Sequence, residues 1–520
     1  MQKDQINPVT GLDYPDPDVI RVGDTYYMIS TTMHFFPGGE ILRSYDLCHW
    51  EHMSYVYDRL DSTPAQRLSG DQNIYGKGMW AASLRYHEGI FYVCFVANDT
   101  GKTYLYQSKE IEGPWRKGYI DGFYHGGSLL FDDDGRVYIA SGNTHISVVE
   151  LKSDLSGPLE GGLNRVIVSD DGNPQLGYEG THFYKINGRY YLFLIHSLRD
   201  RWKRVQACFV SDSLDGEFTG GDVFNDDIGY CGQGVAQGGI VNTPSGQWYA
   251  MLFQDRGAVG RIPILIPVTW ENNYPVFDEK RILSSEFTVK STRPEHRYTP
   301  LVQSDDFRYS SSDMQSERKY DSYGLKSCWQ FNHEPDLAYV FHDNVLGIWQ
   351  LENGRVCTNL TQAANTITQR MCFPKCSAEI TVDGSGLNDG DYTGMCALQE
   401  YYVMAAVTKQ NGKFSLVMSG VEDMDGRKGK ETIYERIALD SAVVQIRLKV
   451  DFMDGKDEAV FFYLSDTKES DRTWKQIGIQ KKLRFTLGHF AGCRFGLFSY
   501  ATKQTGGKAV FRDFIRYDFL

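Results

Sequence analysis

The chain has 520 residues, more than one hydrophobic core usually organises, so two domains, or one large repeat fold with a second domain, are expected. A net charge of -13 and a sequence pI of about 5.5, with no long basic run, oppose binding to a phosphate backbone, so nucleic acid is not an expected partner. No stretch reaches the roughly 18 consecutive apolar residues that cross a bilayer.

Aromatic content of 14% with 52 Gly and only 16 Pro favours strands and tight turns, hence an all-β protein. The opening "MQKDQINPV" lacks the charged and apolar regions of a signal peptide, but a signal removed beforehand would leave the same start. A soluble protein of either periplasm or cytoplasm fits.

In chain order, one hairpin recurs five times: "VIRVGDTYYMIS", "SLRYHEGIFYVCF", "SLLFDDDGRVYIA", "FYKINGRYYLFL" and "GIVNTPSGQWYAML". Each is an apolar strand, a polar turn and an aromatic strand, with Gly23, Gly89, Gly135, Gly188 and Gly246 in the turns. Motifs such as "SYDLCHWE", "SKEIEGPW" and "SDSLDGEF" follow most of them and read as outer hairpins of the same units. Four strands per unit, repeated five times, predict a five-bladed β-propeller over residues 1–290. The polar stretch "SEFTVKSTRPEHRYTPL", residues 286–302, reads as the link to a second domain. Residues 303–520 alternate short strands and turns to a closing strand, "AVFRDFIRYDFL", and predict a β-sandwich. The ten Cys lack the spacing of a disulfide framework and read as free thiols, including Cys372 and Cys376 of "CFPKC".

The repeat supplies a register. Stepping back eleven residues from the first aromatic-strand position reaches Trp80, Gly126, Glu179 and Gln237, and ten residues back in the first unit reaches Asp16. The innermost strand of a propeller blade begins near the axis, so these positions are expected to ring one mouth of the channel, with Asp16 facing Glu179. Asp16 lies between two prolines in "YPDPD", which limit its swing and suit a general base. Asp13 and Asp18 are out of phase and read as structural. Met33, Phe35 and Phe36 are either core residues or an apolar wall for a sugar ring. "CGQGVAQGG" sits in blade register without a βαβ unit, and "DDDG" at 132–135 and "DMDG" at 423–426 read as hairpin turns, not calcium loops.

The segments "YPDPDVIRVGDTYYMISTT", "FFPGGEILRSYDLCHW", "GMWAASLRYHEGIFYV" and "YEGTHFYKINGRYYL" resemble glycoside hydrolase family 43, the β-xylosidases and α-L-arabinofuranosidases with a five-bladed propeller. "CWQFNHEPD", "NTITQR" and "GLNDGDYTGMCALQ" are similar to the β-sandwich that follows the propeller in many of them. The resemblance implies an exo-acting, inverting glycosidase that removes a terminal pentose from small oligosaccharides of plant hemicellulose. It makes Asp16 the general base and Glu179 the general acid, and matches Arg261 to a substrate-binding arginine and Trp80 to a pocket aromatic. Met33, Phe36 and Gln237 complete the expected substrate contacts, and no redox or organic cofactor and no catalytic metal is implied.

Two departures stand out. Gly126 in "FYHGGSLLF" occupies the place of an auxiliary Asp that orients the acid, which opens the alternative of a sugar-binding propeller with impaired catalysis; neighbouring Asp121 and His125 are the candidates to substitute. Gln237 stands where many members have an axial His, so a structural calcium there loses a usual neighbour.

Overall fold

Each of the five sequence hairpins forms an antiparallel pair, and in the tightest of them the turn glycines Gly23 and Gly89 take φ of 63° and 79°, which L-residues adopt only with strain. The computed structural model describes residues 7–278, 288–309, 322–424, 427–465 and 473–519. Blade 1 is the sheet Asp18–Val22, Thr25–Ser30, Gly38–Ser44 and Glu51–Tyr57. Blade 2 runs through Ser83–His87, Ile90–Ala97, Lys102–Ser108 and Arg116–Ile120, and blade 3 through Ser128–Phe131, Val137–Asn143, His145–Leu151 and Asn164–Ser169. Blade 4 is Glu179–Ile186, Arg189–Ser197, Arg204–Ser211 and Thr219–Phe224. Blade 5 pairs Val235–Ala236 and Ile240–Asn242 with Trp248–Asp255, followed by Arg261–Glu271 and Tyr274–Phe277. The outer-hairpin motifs fall between the third and fourth strands of blades 1, 2 and 4. "DDDG" is a hairpin turn, whereas residues 425–426 of "DMDG" lie outside the described residues, as do 279–287 at the start of the expected link.

A buried charge network holds the blades together. Asp18 of blade 1 accepts from Leu84 N and Arg85 Nη1 of blade 2, both at 2.7 Å, and lies 3.0 Å from His182 Nδ1 of blade 4. Arg85 also donates to Ser128 Oγ at 2.6 Å and to Leu129 O at 2.8 Å in blade 3. Blade 5 closes in through Gly239, where a Cβ would stand 2.8 Å from Asp18 Oδ1. Burial alone would push the Asp18 carboxyl up, but Arg85 and His182 outweigh it and hold its pKa below the usual carboxylate value.

The second domain packs two sheets. One runs in the order Gln330–Asn332, Ile367–Arg370, Arg494–Ala501, Asp391–Leu398, Val403–Gln410, Lys413–Met424, Arg427–Leu439. The other runs Val340–Asp343, Ile348–Glu352, Lys508–Phe519, Lys375–Asp383, Val443–Asp451, Glu458–Ser465, Lys475–Lys482, so the final strand of the chain lies inside its sheet.

The domains share structure. Propeller residues Phe35–Phe36 add to the edge of the first sandwich sheet, opposite Phe331 and Asn332. A single hydrophobic cluster joins Leu12, Tyr14 and Ile262 to Trp329, Phe373 and Phe495. The described part of the link is bound to blade 1 rather than free: Thr292 N donates to Tyr45 O at 2.8 Å, and Thr299 N to Glu51 Oε2 at 3.1 Å. Arg370 of the sandwich reaches Glu40 of blade 1 at 2.7 Å; despite burial, that pair and His52 hold the Glu40 carboxyl down at about 2.

At the same junction His34, His333, His489 and Tyr75 form a buried ring cluster, with His34 centroids 4.8 Å from His489 and 5.1 Å from His333. Among the described residues both ring nitrogens of His34 and of His489 lack a hydrogen-bond partner. Burial, reinforced by neighbouring histidines and by arginines, holds His34 and His333 well below the ordinary imidazole pKa and His489 down to about 3.

Two outcomes are expected. Asp18→Asn leaves the Arg85 guanidinium buried without its counter-charge and should cost about 3–5 kcal/mol in urea unfolding; a loss below about 1 kcal/mol would show the network to be incidental. The junction histidines bind protons in the unfolded chain near pH 6.5 but not in the folded one, so stability is fully present above that pH and falls as pH drops toward 3. The slope reaches about 1.4 kcal/mol per pH unit for each histidine. His34→Leu should remove one proton from the slope between pH 6 and 5, and an unchanged slope would contradict this.

Candidate active site

Asp16 is fixed from three sides. Pro15 and Pro17 flank it, and Pro15 O accepts from Ser30 Oγ at 2.7 Å and Thr31 N at 3.1 Å, which pins the approach to the strand. Its own φ is 52°, and its carboxylate accepts from Thr31 Oγ1 at 2.7 Å and from Arg261 Nη1 at 3.0 and 3.2 Å. Arg261 is carried by blade 5, where its N–H donates to Asp13 Oδ1 at 2.7 Å; Asp13 also accepts from Gly492 N and is structural, as read.

Glu179 is placed by a bulge. The innermost strand of blade 4 pairs His182 with Phe193 but Glu179 with Ile195, and the extra residue puts Gly180 at φ 62°. Glu179 Oε2 accepts from Asn143 Nδ2 at 2.6 Å and lies 3.3 Å from His125 Nε2. Its side chain is 22% exposed.

Both carboxylates line one cavity together with Met33, Trp80, His125, Gly126, Arg204, Gln237, Arg261 and Phe490. All five blades contribute, as the ring reading expects, but the equivalence is off by one residue in two blades. Counting four residues back from the residues that close the hairpins, Val22, His87, Asp132, Ile186 and Thr243, gives Asp18, Ser83, Ser128, His182 and Gly239. Two further back stand Asp16, Ala81, Gly126, Gly180 and Gln237, and four of these share a left-handed φ between 52° and 62°. Trp80, His125 and Glu179 are therefore equivalent to one another, one position earlier.

Phe36 is a correction. It is fully buried between blades 1 and 2 with Ile29, Met79 and Phe95, because the strand it forms with Phe331 turns it away from the cavity. Arg261 does line the cavity, but most of its donors are engaged by the protein, with Asp16 and, through Nη2, with Phe490 O at 3.1 Å. Of the two candidates beside Gly126, His125 reaches Glu179, whereas Asp121 N–H bonds to Ser156 O and its side chain packs at Gly157. A Cβ at Gly126 would stand 3.1 Å from Gly180 N, so any side chain there presses on the backbone beside Glu179.

Two cavity residues, Phe490 and Arg204, and Asn143, which bonds Glu179, escape a reading by pattern. Phe490 comes from the sandwich, stacks under the Arg261 guanidinium at 4.5 Å and meets Trp80 edge-on at 5.9 Å; nothing local in the sequence links it to the propeller. Arg204 begins the third strand of blade 4 and pairs with Asp255; burial pulls its pKa down, but Asp255, Asp16 and Glu179 together raise it. Asn143 ends the second strand of blade 3, and antiparallel pairing alone returns that end to the mouth where the first strand begins. Among the described residues no group of three His, Cys, Asp or Glu side chains is arranged to hold a metal ion.

Of the two glycines lining the cavity, Gly180 leaves less room, since a Cβ there would stand 2.7 Å from the Gln237 amide, against 3.1 Å from Gly180 N at Gly126. Gly180→Ala should cost about 1–3 kcal/mol through backbone strain and, by displacing Glu179, lower kcat roughly tenfold to a hundredfold with KM little changed. Wild-type kcat in a folded variant would contradict this placement.

Residues 6–275 match the family model of glycosyl hydrolases family 43, and residues 317–518 match the β-xylosidase C-terminal concanavalin A-like domain. A β-xylosidase of Formosa agariphila is 26% identical, with 99% of this chain and 90% of the relative covered. A non-reducing end α-L-arabinofuranosidase of Bacteroides ovatus is 25% identical over 59% of each chain. Among solved structures, a bifunctional GH43-CE protein of Bacteroides eggerthii superposes with a TM-score of 0.88 at 39% identity, covering 100% of this chain, which spans 64% of that one.

Proposed function

The chain belongs to glycosyl hydrolase family 43 and is a glycosidase, and from that premise we propose that it removes a terminal pentose from hemicellulose-derived oligosaccharides with inversion at the anomeric carbon. The observation that carries this reading is the contrast between the two cavity carboxylates. Asp16 is held as an acceptor on both oxygens, each bonded to Arg261 and one also to Thr31. Glu179 receives its donors on Oε2 alone, so its Oε1 is available to carry a proton toward a leaving group.

In this reading Asp16 takes a proton from a water that attacks the anomeric carbon, while Glu179 gives its proton to the departing glycosidic oxygen as the C–O bond breaks. Inversion needs room for that water, roughly 6.5–9.5 Å between the carboxyl groups. Arg261 holds the base in place beside the sugar. Trp80, Met33 and Phe490 supply apolar wall, and Gln237 and Arg204 supply polar contacts, for a single terminal residue. The sandwich residue Phe490 closes one side of the cavity against Trp80 and Arg261, and this wall is what the reading of exo action rests on. Acid, base and guanidinium carry the chemistry without a redox or organic cofactor. The reading does not depend on a structural calcium, which loses its usual axial neighbour where Gln237 stands in place of a His. The relatives named β-xylosidase and α-L-arabinofuranosidase support a pentose, an α-L-arabinofuranoside or a β-D-xyloside.

Kinetics on aryl α-L-arabinofuranoside and aryl β-D-xyloside test the substrate, and preference for a hexoside would reject both. Glu179→Gln should lose far more rate on an alkyl or sugar leaving group than on nitrophenolate, by about 10²-fold or more, because a good leaving group needs little protonation. Equal losses on both would remove Glu179 from the acid role.

A further inference from the structure

Two side chains from blade 3 converge on one oxygen of Glu179. Asn143 Nδ2 reaches Oε2 at 2.6 Å, and the amide is oriented by Thr144 Oγ1, which donates to Asn143 Oδ1 at 3.1 Å. His125 Nε2 lies 3.3 Å from the same oxygen. Its ring stands edge-on to Trp80 at 5.4 Å, and its backbone carbonyl accepts from Gly142 N at 3.0 Å. The next residue locks the two blades: Gly126 O accepts from Thr181 N at 3.0 Å and from Thr181 Oγ1 at 2.6 Å. Trp80, His125 and Glu179, equivalent positions in three successive blades, thus form a row in which each side chain touches the next.

We infer that His125, together with Asn143, is the positioning pair for Glu179, holding Oε2 as the accepting oxygen so that the transferable proton sits on Oε1. An amide N–H can only donate, so Oε2 must accept whether Glu179 is protonated or not. The proton is therefore directed to Oε1, the oxygen with no hydrogen bond among the described residues. As that proton passes to the leaving oxygen and the glycosidic C–O bond breaks, negative charge develops on the carboxylate, and the two donors already aimed at Oε2 stabilise it without reorganisation. This explains how a site with Gly126 in place of a third carboxylate keeps its acid oriented. Blade 3 supplies neutral donors one residue earlier, from His125, and across the strand pair, from Asn143.

The inference rests on Glu179 being the acid, and the experiment separates the two. Wild type, Glu179→Gln, His125→Phe, His125→Gln and Asn143→Ala are compared on a nitrophenyl pentoside and on an alkyl pentoside. His125→Phe keeps a ring against Trp80 but has no donor, while His125→Gln restores an N–H donor. The expected result for His125→Phe and Asn143→Ala is a fall in kcat of about 10- to 100-fold on the alkyl pentoside and only a few-fold on the nitrophenyl one, with KM within about twofold of wild type, since neither group binds the sugar. His125→Gln should recover most of the loss. If His125→Phe matches wild type, if Phe and Gln lose equally, or if the loss ignores the leaving group, His125 is only packing and the inference falls while the acid assignment stands. If Glu179→Gln itself shows no leaving-group dependence, or wild type turns over neither pentoside, the functional reading falls and takes the inference with it.

Discussion

Everything at the cavity depends on the charge network of Asp18, Arg85 and His182. Asp18 is fully buried, and an unpaired carboxylate there would be untenable, so Arg85 and His182 must be brought to it from blades 2 and 4. Asp18 lies two residues beyond Asp16, and His182 three beyond Glu179. The buried pairing therefore fixes the strand starts that present Asp16 and Glu179, in the way that a supporting shell fixes the groups it carries. A slip of one residue in either strand would bury the wrong side chain and leave a charge unmatched, which is a stronger constraint on register than hydrophobic alternation alone.

The sandwich completes this site as well as the fold. Its loop brings Phe490 against Trp80 and gives Arg261 a carbonyl to donate to, so the guanidinium that steadies Asp16 is itself steadied by the other domain. Elsewhere along the junction Arg494 lies over the Phe35 ring at 3.4 Å and donates to Gln330 Oε1 at 2.8 Å. The strand Phe35–Phe36 is pulled into the sandwich sheet and takes Met33, two residues earlier, to the cavity wall. A propeller loop that is half cavity wall and half sandwich edge couples the two domains mechanically.

Much of this could be read from the sequence, for identifiable reasons. The hairpins announce themselves because each alternates apolar and aromatic strands around a glycine turn, and five copies give both blade count and register. That register brought Asp16, Trp80, Gly126, Glu179 and Gln237 to one cavity. It slipped by one residue in blades 2 and 4, whose two-residue turns are one shorter than the three-residue turns of blades 3 and 5, and so it hid the equivalence of His125 with Glu179. Phe36 was misplaced because an aromatic residue beside the base strand has the same local pattern whether it faces a cavity or a neighbouring sheet; only the pairing with Phe331, almost 300 residues away, decides. Phe490 and Arg204 were out of reach for the same reason, being brought in by tertiary contacts.

The central claim is that Asp16 and Glu179 act as base and acid on opposite sides of a bound pentose, with no covalent sugar intermediate. Proton NMR of the anomeric signal during the first minutes of hydrolysis of an aryl pentoside, before mutarotation, tests it most directly. The account predicts that the sugar first appears as the anomer opposite to that of the substrate. First appearance of the retained anomer would contradict it.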